Sequence, residues 1–106
     1  MLVQFEKYQG AGNDFIMIDN RSGKYNTLGI DQLQWMCNRH YGIGSDGLIL
    51  LNESPVADFD MDFYNPDGSK SFCGNGARCV VAFANALGVE ATTHTFNAID
   101  GIHAYT

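Results

Sequence analysis

The sequence predicts an α+β domain, and three observations carry the prediction. Phe59, Met61 and Phe63 alternate with Asp58, Asp60 and Asp62, the clearest period of two in the chain and the mark of a strand with one wet face. Ala77, Val80, Val81, Phe83, Ala84 and Leu87 recur at helical spacing, with Gly88 as a C-terminal stop. Val80 to Ala84 are apolar in succession, so this helix is expected to be buried on most sides within a sheet structure. Finally, Asp100-Gly101 separates two alternating segments and suits the tight turn of a hairpin.

Taken in order, Leu2 to Tyr8 and Asp14 to Asn20 read as strands joined by the turn Gly10-Ala-Gly-Asn13. A first helix is expected from about Asp31 to Asn38, with Ile30, Leu33, Met36 and Cys37 on its apolar side and Asp31 or Thr27 as its cap. Gly42 and Gly44 break that pattern, and a strand resumes at Leu48 to Asn52. After the Asp58–Phe63 strand, Asn65-Pro-Asp-Gly68 turns the chain. The central helix begins near Gly74, and Thr92 to Ile99 with Ile102 to Thr106 form the closing hairpin. The last strand is still running at Thr106, an alternating segment with an uncovered edge, which leads us to expect further chain beyond it and self-association of this part alone.

Composition narrows the function. At 106 residues, 45% hydrophobic and 12% aromatic, the chain holds one modest core, with no internal repeat, linker or low-complexity segment. A net charge of -6 with only 6 Lys and Arg argues against a nucleic-acid partner, because phosphate-backbone binding needs clustered cations. No apolar run is long enough to span a bilayer, and the N-terminus lacks the order of a signal peptide, so no membrane partner and a cytoplasmic setting are expected. Three cysteines, Cys37, Cys73 and Cys79, form an odd set without a C-x-x-C pair and read as reduced thiols.

One thiol stands out. In Cys73-Gly-Asn-Gly-Ala-Arg-Cys79 a cysteine precedes two glycines and then the central helix, which places Cys73 at a helix N-terminus. There the unpaired backbone N–H groups and the positive end of the dipole favour an anion, so a thiolate and a bound carboxylate can stand side by side. Such a thiolate can take a proton from carbon.

Other motif matches fail on context. Gly42-Ile-Gly-Ser-Asp-Gly47 has the spacing of a dinucleotide-binding loop but follows a helix and precedes a strand, the reverse of what that motif needs. Asp58, Asp60 and Asp62 imitate a calcium loop, yet Phe63 stands where the sharp-turn glycine belongs and Ser69 where the bidentate Glu belongs. Arg78 follows Cys73 one residue sooner than the arginine that closes the loop of cysteine phosphatases. His40, His94 and His103 show no ligand spacing, so no metal is expected.

Gly10-Ala-Gly-Asn-Asp-Phe15, Arg39-His-Tyr-Gly-Ile-Gly-Ser-Asp-Gly47, Phe63-Tyr-Asn-Pro-Asp-Gly-Ser69 and Cys73-Gly-Asn-Gly-Ala-Arg-Cys79 stand in the order seen in diaminopimelate epimerases. The chain resembles the N-terminal domain of that family along essentially its whole length. The resemblance implies a mostly antiparallel sheet wrapped around the central helix, residues 1–106 forming one domain, with a second domain absent from this chain. It further implies a cofactor-independent isomerase that interconverts LL- and meso-2,6-diaminopimelate, a small amino-acid substrate used for lysine and peptidoglycan. Two cysteines on opposite faces of the α-carbon would exchange its proton, and this half would be inactive alone.

By the same resemblance Cys73 is one of the two bases, and the N–H groups of Gly74 and Asn75 meet the reacting carboxylate. Asn13, Asn65 and Asn75 match substrate-binding positions, and Gly47 stands where some members carry a glutamine. The second cysteine belongs to the missing domain. Cys79 and Cys37 lie on apolar helix faces and read as inert core. Asn13 and Asn65 also sit in turns that favour Asn on backbone grounds alone. Two other readings stay open: a related two-cysteine racemase of another amino acid, and a non-catalytic binding or structural fragment.

Overall fold

The structure, a computed structural model, describes residues 2–106. Its strands are β1 (Glu6–Gly10), β2 (Asn13–Asp19), β3 (Gly47–Asn52), β4 (Phe59–Tyr64), β5 (Thr95–Ala98) and β6 (Gly101–Ala104), with helices α1 (Ile30–Cys37) and α2 (Gly74–Ala86). They form one six-stranded sheet in the order β1-β2-β3-β4-β5-β6. The β1·β2, β3·β4 and β5·β6 pairs are antiparallel, whereas β2·β3 and β4·β5 are parallel. The expected α+β class and mostly antiparallel sheet are therefore present. The parallel joints fall where a helix intervenes, because parallel neighbours need a crossover connection.

Each face of the sheet carries one helix. Phe15, Met17, Ile49, Leu51, Phe59, Met61 and Phe63 point to α2 and pack with Cys79, Val80, Phe83 and Ala84. The alternate residues Ile16, Ile18, Leu48 and Leu50 point the other way and pack with Leu33, Met36 and Cys37 of α1. The central strand β3 is thus buried on both faces and reads as a continuous apolar run. On β4 the predicted alternation holds, with Phe59, Met61 and Phe63 buried and the residues between them half-buried.

Several details differ from expectation. The first strand starts at Glu6, because Leu2 is 79% exposed and finds no core to join. Helix α1 is capped at Gly29, whose N–H donates to Gln32 Oε1 at 2.9 Å; the Gln32 side chain does the work expected of Thr27 or Asp31. The closing hairpin pairs Ala98 with Gly101, so its turn residues are Ile99 and Asp100 rather than Asp100 and Gly101. Helix α2 buries one side only: Arg78, Ala82, Asn85 and Ala86 are exposed. The sheet covers the inner side of its apolar run, chiefly through β1 to β4, and leaves the outer side open.

The β1–β2 tip is a two-residue turn in which Ala11 (φ 51°) and Gly12 (φ 86°) both have positive φ, the geometry whose twist matches paired strands. Gly10, just before it, passes so close to α2 that an added Cβ would lie 3.0 Å from Cys79 Sγ. Far from this turn, Asp58 ties the C-terminal segment down. Its carboxylate accepts the N–H groups of Thr92, Thr93 and His94 and the hydroxyl of Tyr105 at 2.7–3.0 Å.

A Cβ on Gly42 would lie 1.8 Å from the Trp35 carbonyl oxygen, a backbone atom at the end of α1 that cannot swing aside. Gly42→Ala is expected to cost about 2 kcal/mol or more of unfolding free energy. Urea unfolding of the two proteins, with an unchanged slope, checks it.

Candidate functional site

Cys73 is the N-cap residue of α2, in extended backbone (φ −130°, ψ 117°), where the sequence placed it. Its side chain is half-buried and makes no capping hydrogen bond. The first helical bond runs from Ala77 N–H to Cys73 O at 2.8 Å, so the N–H groups of Gly74, Asn75 and Gly76 precede the helical ladder. They stand at the positive end of the dipole with the thiol at their edge. Gly76 lets this turn approach the sheet, since a Cβ there would already be 3.2 Å from Ile49. Val80 and Phe83 hold the helix down, and burying each contributes about 1.5–3 kcal/mol.

The β1–β2 tip brings Asn13 to this helix start. Asn75 Nδ2 donates to Asn13 Oδ1 at 2.8 Å, across 62 residues of sequence, and Arg78 donates to Asn75 Oδ1. Asn13 Nδ2 in turn donates to Asp46 Oδ2 at 3.2 Å. Asp46 belongs to an ionic cluster behind the site: Arg39 bridges Asp14 (2.7 Å) and Asp46 (3.1 Å), and Lys7 reaches Asp14 at 2.9 Å. The Arg39 guanidinium, and then Lys7, hold the Asp14 carboxyl well below the usual carboxylate range against the upward push of burial. None of Lys7, Asp14, Arg39, Asp46 or Arg78 was singled out from sequence as part of this arrangement. Asp46 lies within the Arg39–Gly47 motif, whose sequence gives no role to its carboxylate.

Asn65 is placed differently. Its Nδ2 donates to Ser69 Oγ at 3.1 Å and to Ser71 Oγ at 3.0 Å, bracing the strap that runs into Cys73 instead of joining Asn13 and Asn75. The turn itself is closed by Gly68 N–H on Asn65 O at 2.8 Å, with Gly68 at φ 89°. Gly47 is buried at the start of β3, where a Cβ would meet the Phe63 ring at 2.6 Å. A glutamine there would displace that ring, so the absence of a side chain at 47 goes with the large neighbour at 63.

The other thiols are core. Cys37 is 3% exposed and Cys79 5% exposed. Burial pushes both thiols up, more than Ser45 pulls Cys37 down. The Arg78 guanidinium donates to Asn75 Oδ1. His103 is stacked between Phe72 and Phe96, at 4.3 and 5.2 Å between ring centres. Among the described residues no three His, Cys, Asp or Glu gather as metal ligands, and no helix is long and apolar enough to cross a membrane.

Comparison with known proteins is consistent along the chain. Residues 5–102 match the diaminopimelate epimerase family. A diaminopimelate epimerase of Flavobacterium psychrophilum is 52% identical over 105 residues, which is 98% of this chain and 41% of that protein. One of Synechocystis is 44% identical over 105 residues, 96% of this chain and 38% of the relative. The chain thus spans about two fifths of the length of these curated relatives. Among solved structures, a phenazine biosynthesis protein of the PhzF family from Bacillus anthracis superposes with a TM-score of 0.62 at 19% identity, over 94% of this chain and 33% of its own. A methylitaconate-delta-isomerase gives 0.63 at 17% identity, over 92% and 32%. At that identity the two structures speak for the fold alone.

Two outcomes are expected from this geometry. With limiting iodoacetamide near neutral pH, Cys73 is alkylated at least about tenfold faster than Cys37 and Cys79, since only its thiol combines access with a helix start; peptide mapping against time reads the rates, which converge in denaturant. Acid is the second probe. Asp14 has a depressed folded value, so the stability it contributes is fully present above the unfolded value of about 3.9 and is lost as pH falls from there. Asp14→Asn should therefore flatten the fall of Tm between pH 5 and 2, and parallel curves for the two proteins would refute the assignment.

Proposed function

Because the chain belongs to the diaminopimelate epimerase family, we propose that residues 1–106 are the N-terminal domain of an isomerase that interconverts LL- and meso-2,6-diaminopimelate by proton transfer at one α-carbon. The observation that carries the reading is a half-buried thiol at a helix start free of any capping side chain, with the amides of Asn13 and Asn75 joined beside it.

The chemistry follows from the difficulty of the step. An α-hydrogen next to a carboxylate is very weakly acidic, and its removal throws negative charge onto the carboxylate oxygens. Gly74, Asn75 and Gly76 N–H groups meet charge where it develops, and they need no rearrangement because the helix already orients them. Cys73, as thiolate, takes the proton, and the electron pair of the C–H bond spreads into the carboxylate. Asn13, Asn75 and Asn65 hold the amino acid, the first two beside the carboxylate and the third through the Asn65–Cys73 strap.

Return of a proton to the opposite face completes inversion, and the second base is a cysteine of a second domain. No cofactor and no metal enter this scheme. The setting is the cytoplasm, where thiols stay reduced, and the products serve lysine and peptidoglycan synthesis. The exposed outer side of α2, beside a groove of about 380 Å³ lined by Phe72, Val81, Phe96 and Tyr105, favours self-association when no further chain covers it.

One base and half a clamp make a distinct expectation. Incubated with LL-diaminopimelate in D2O, this chain alone should slowly place deuterium at the α-carbon with configuration retained, because the same thiol returns a solvent-derived proton to the face it left. Cys73→Ala should reduce that exchange to background, while Cys79→Ala retains it. Formation of meso product by the chain alone, or exchange that survives Cys73→Ala, would count against the reading; chiral chromatography with mass detection separates these cases.

A further inference from the structure

We infer that Asp46 is a positioning residue, whose carboxylate sets which way the amides of Asn13 and, through it, Asn75 face. The inference rests on the reading of the α2 start as a carboxylate-binding site and adds what decides its polarity. An ionised carboxylate can only accept hydrogen bonds, and an arginine can only donate them. Asp46 Oδ2 takes the N–H of Asp14 at 3.0 Å and Asn13 Nδ2 at 3.2 Å, while Asp46 Oδ1 takes Arg39 at 3.1 Å.

Facing an acceptor, Asn13 has to present its NH2 group. Its Oδ1 is then turned toward Asn75, which answers with Nδ2 at 2.8 Å, and the Asn75 Oδ1 so exposed accepts from Arg78. The row runs Arg78 to Asn75 to Asn13 to Asp46, from a donor-only group to an acceptor-only group. Each link points the same way. Reversing either amide would set NH2 against NH2 or oxygen against oxygen.

The consequence lies in the hydrogens left over. A primary amide carries two N–H bonds, and among the described residues each of these NH2 groups has one partner. Each amide oxygen already accepts one hydrogen bond, and the remaining N–H bonds of Asn13 and Asn75 add a donor apiece to the backbone donors of the α2 start. The site is thereby biased toward an anion. A net charge of -6 would otherwise work against that choice. Arg39, clamped on both Asp14 and Asp46, keeps the Asp46 carboxylate in place.

Asp46→Asn tests this with two alkylating reagents, anionic iodoacetate and neutral iodoacetamide, each timed at Cys73. Asparagine keeps a single acceptor oxygen; with that oxygen held on the Arg39 guanidinium, its NH2 group faces Asn13, whose orientation, and with it that of Asn75, is no longer set. The ratio of iodoacetate to iodoacetamide rates at Cys73 should fall roughly fivefold, the worth of one hydrogen bond, while Asp46→Glu keeps the parent ratio. Simple removal of a negative charge predicts the opposite sign. A ratio that is unchanged or raised in Asp46→Asn overturns the inference.

Should Asp46→Asn not fold, the unsubstituted chain answers by NMR. A scalar coupling across the hydrogen bond from Asn75 Nδ2 to Asn13 Cγ is expected, and its absence or a coupling in the opposite sense overturns the assignment. The two readings fail separately: if the carboxylate site is wrong, parent Cys73 shows no preference for iodoacetate relative to a free thiol, yet the coupling still reports the amide orientation.

Discussion

Docking of α2 onto the sheet is the contact on which the rest of this chain depends. Gly76, Cys79, Val80 and Phe83 press one side of the helix onto β1 to β4, and that contact fixes where the first turn of the helix stands. The Cys73 thiol, the free backbone N–H groups and Asn75 all stand at that first turn. Had the helix been held farther off by a side chain at 76, Asn75 would no longer reach Asn13, because a hydrogen bond weakens steeply beyond its narrow range of lengths. Packing of the helix and the geometry of its first turn thus meet in one glycine-lined approach.

The β1–β2 tip is the second half of that arrangement. Its two positive-φ residues let the strands reverse within two residues, which puts Asn13 at the very end of β2 and level with the helix start. Gly10 lets β1 pass over Cys79 without a clash. Behind the tip, Lys7, Asp14, Arg39 and Asp46 join β1, β2 and the loop after α1. Exposed ion pairs usually add little stability, but this cluster does something geometric: it holds a carboxylate where an amide has to answer it.

Much of the fold was legible because it rests on local rules. The alternation over Asp58–Phe63, the apolar spacing from Ala77 to Leu87 and the turn at Asn65–Gly68 each obey a periodicity or a dihedral preference that short segments express alone. Boundaries were less legible where an outside partner decides them. Leu2 to Phe5 have the composition of a strand but no neighbour to pair with, and Gln32 caps α1 from inside the helix. The one-sided burial of α2 was not legible either, since an apolar run demands cover without saying how much of it this chain supplies.

The sequence by itself determined the class of the fold, the helix start at Cys73 and the identity of the one thiol set apart from the core, because each follows from spacing within a few residues. Family likeness in four ordered motifs pointed to Asn13, Asn65, Gly74 and Asn75 as a group. Only the tertiary structure decided that Asn13 and Asn75 touch while Asn65 braces its own loop, and that Asp46 and Arg78 close the ends of one polarised row. The reason is distance along the chain. A hydrogen bond spanning 62 residues leaves no local pattern to read, and its direction is set by whether the groups at its ends can donate or only accept.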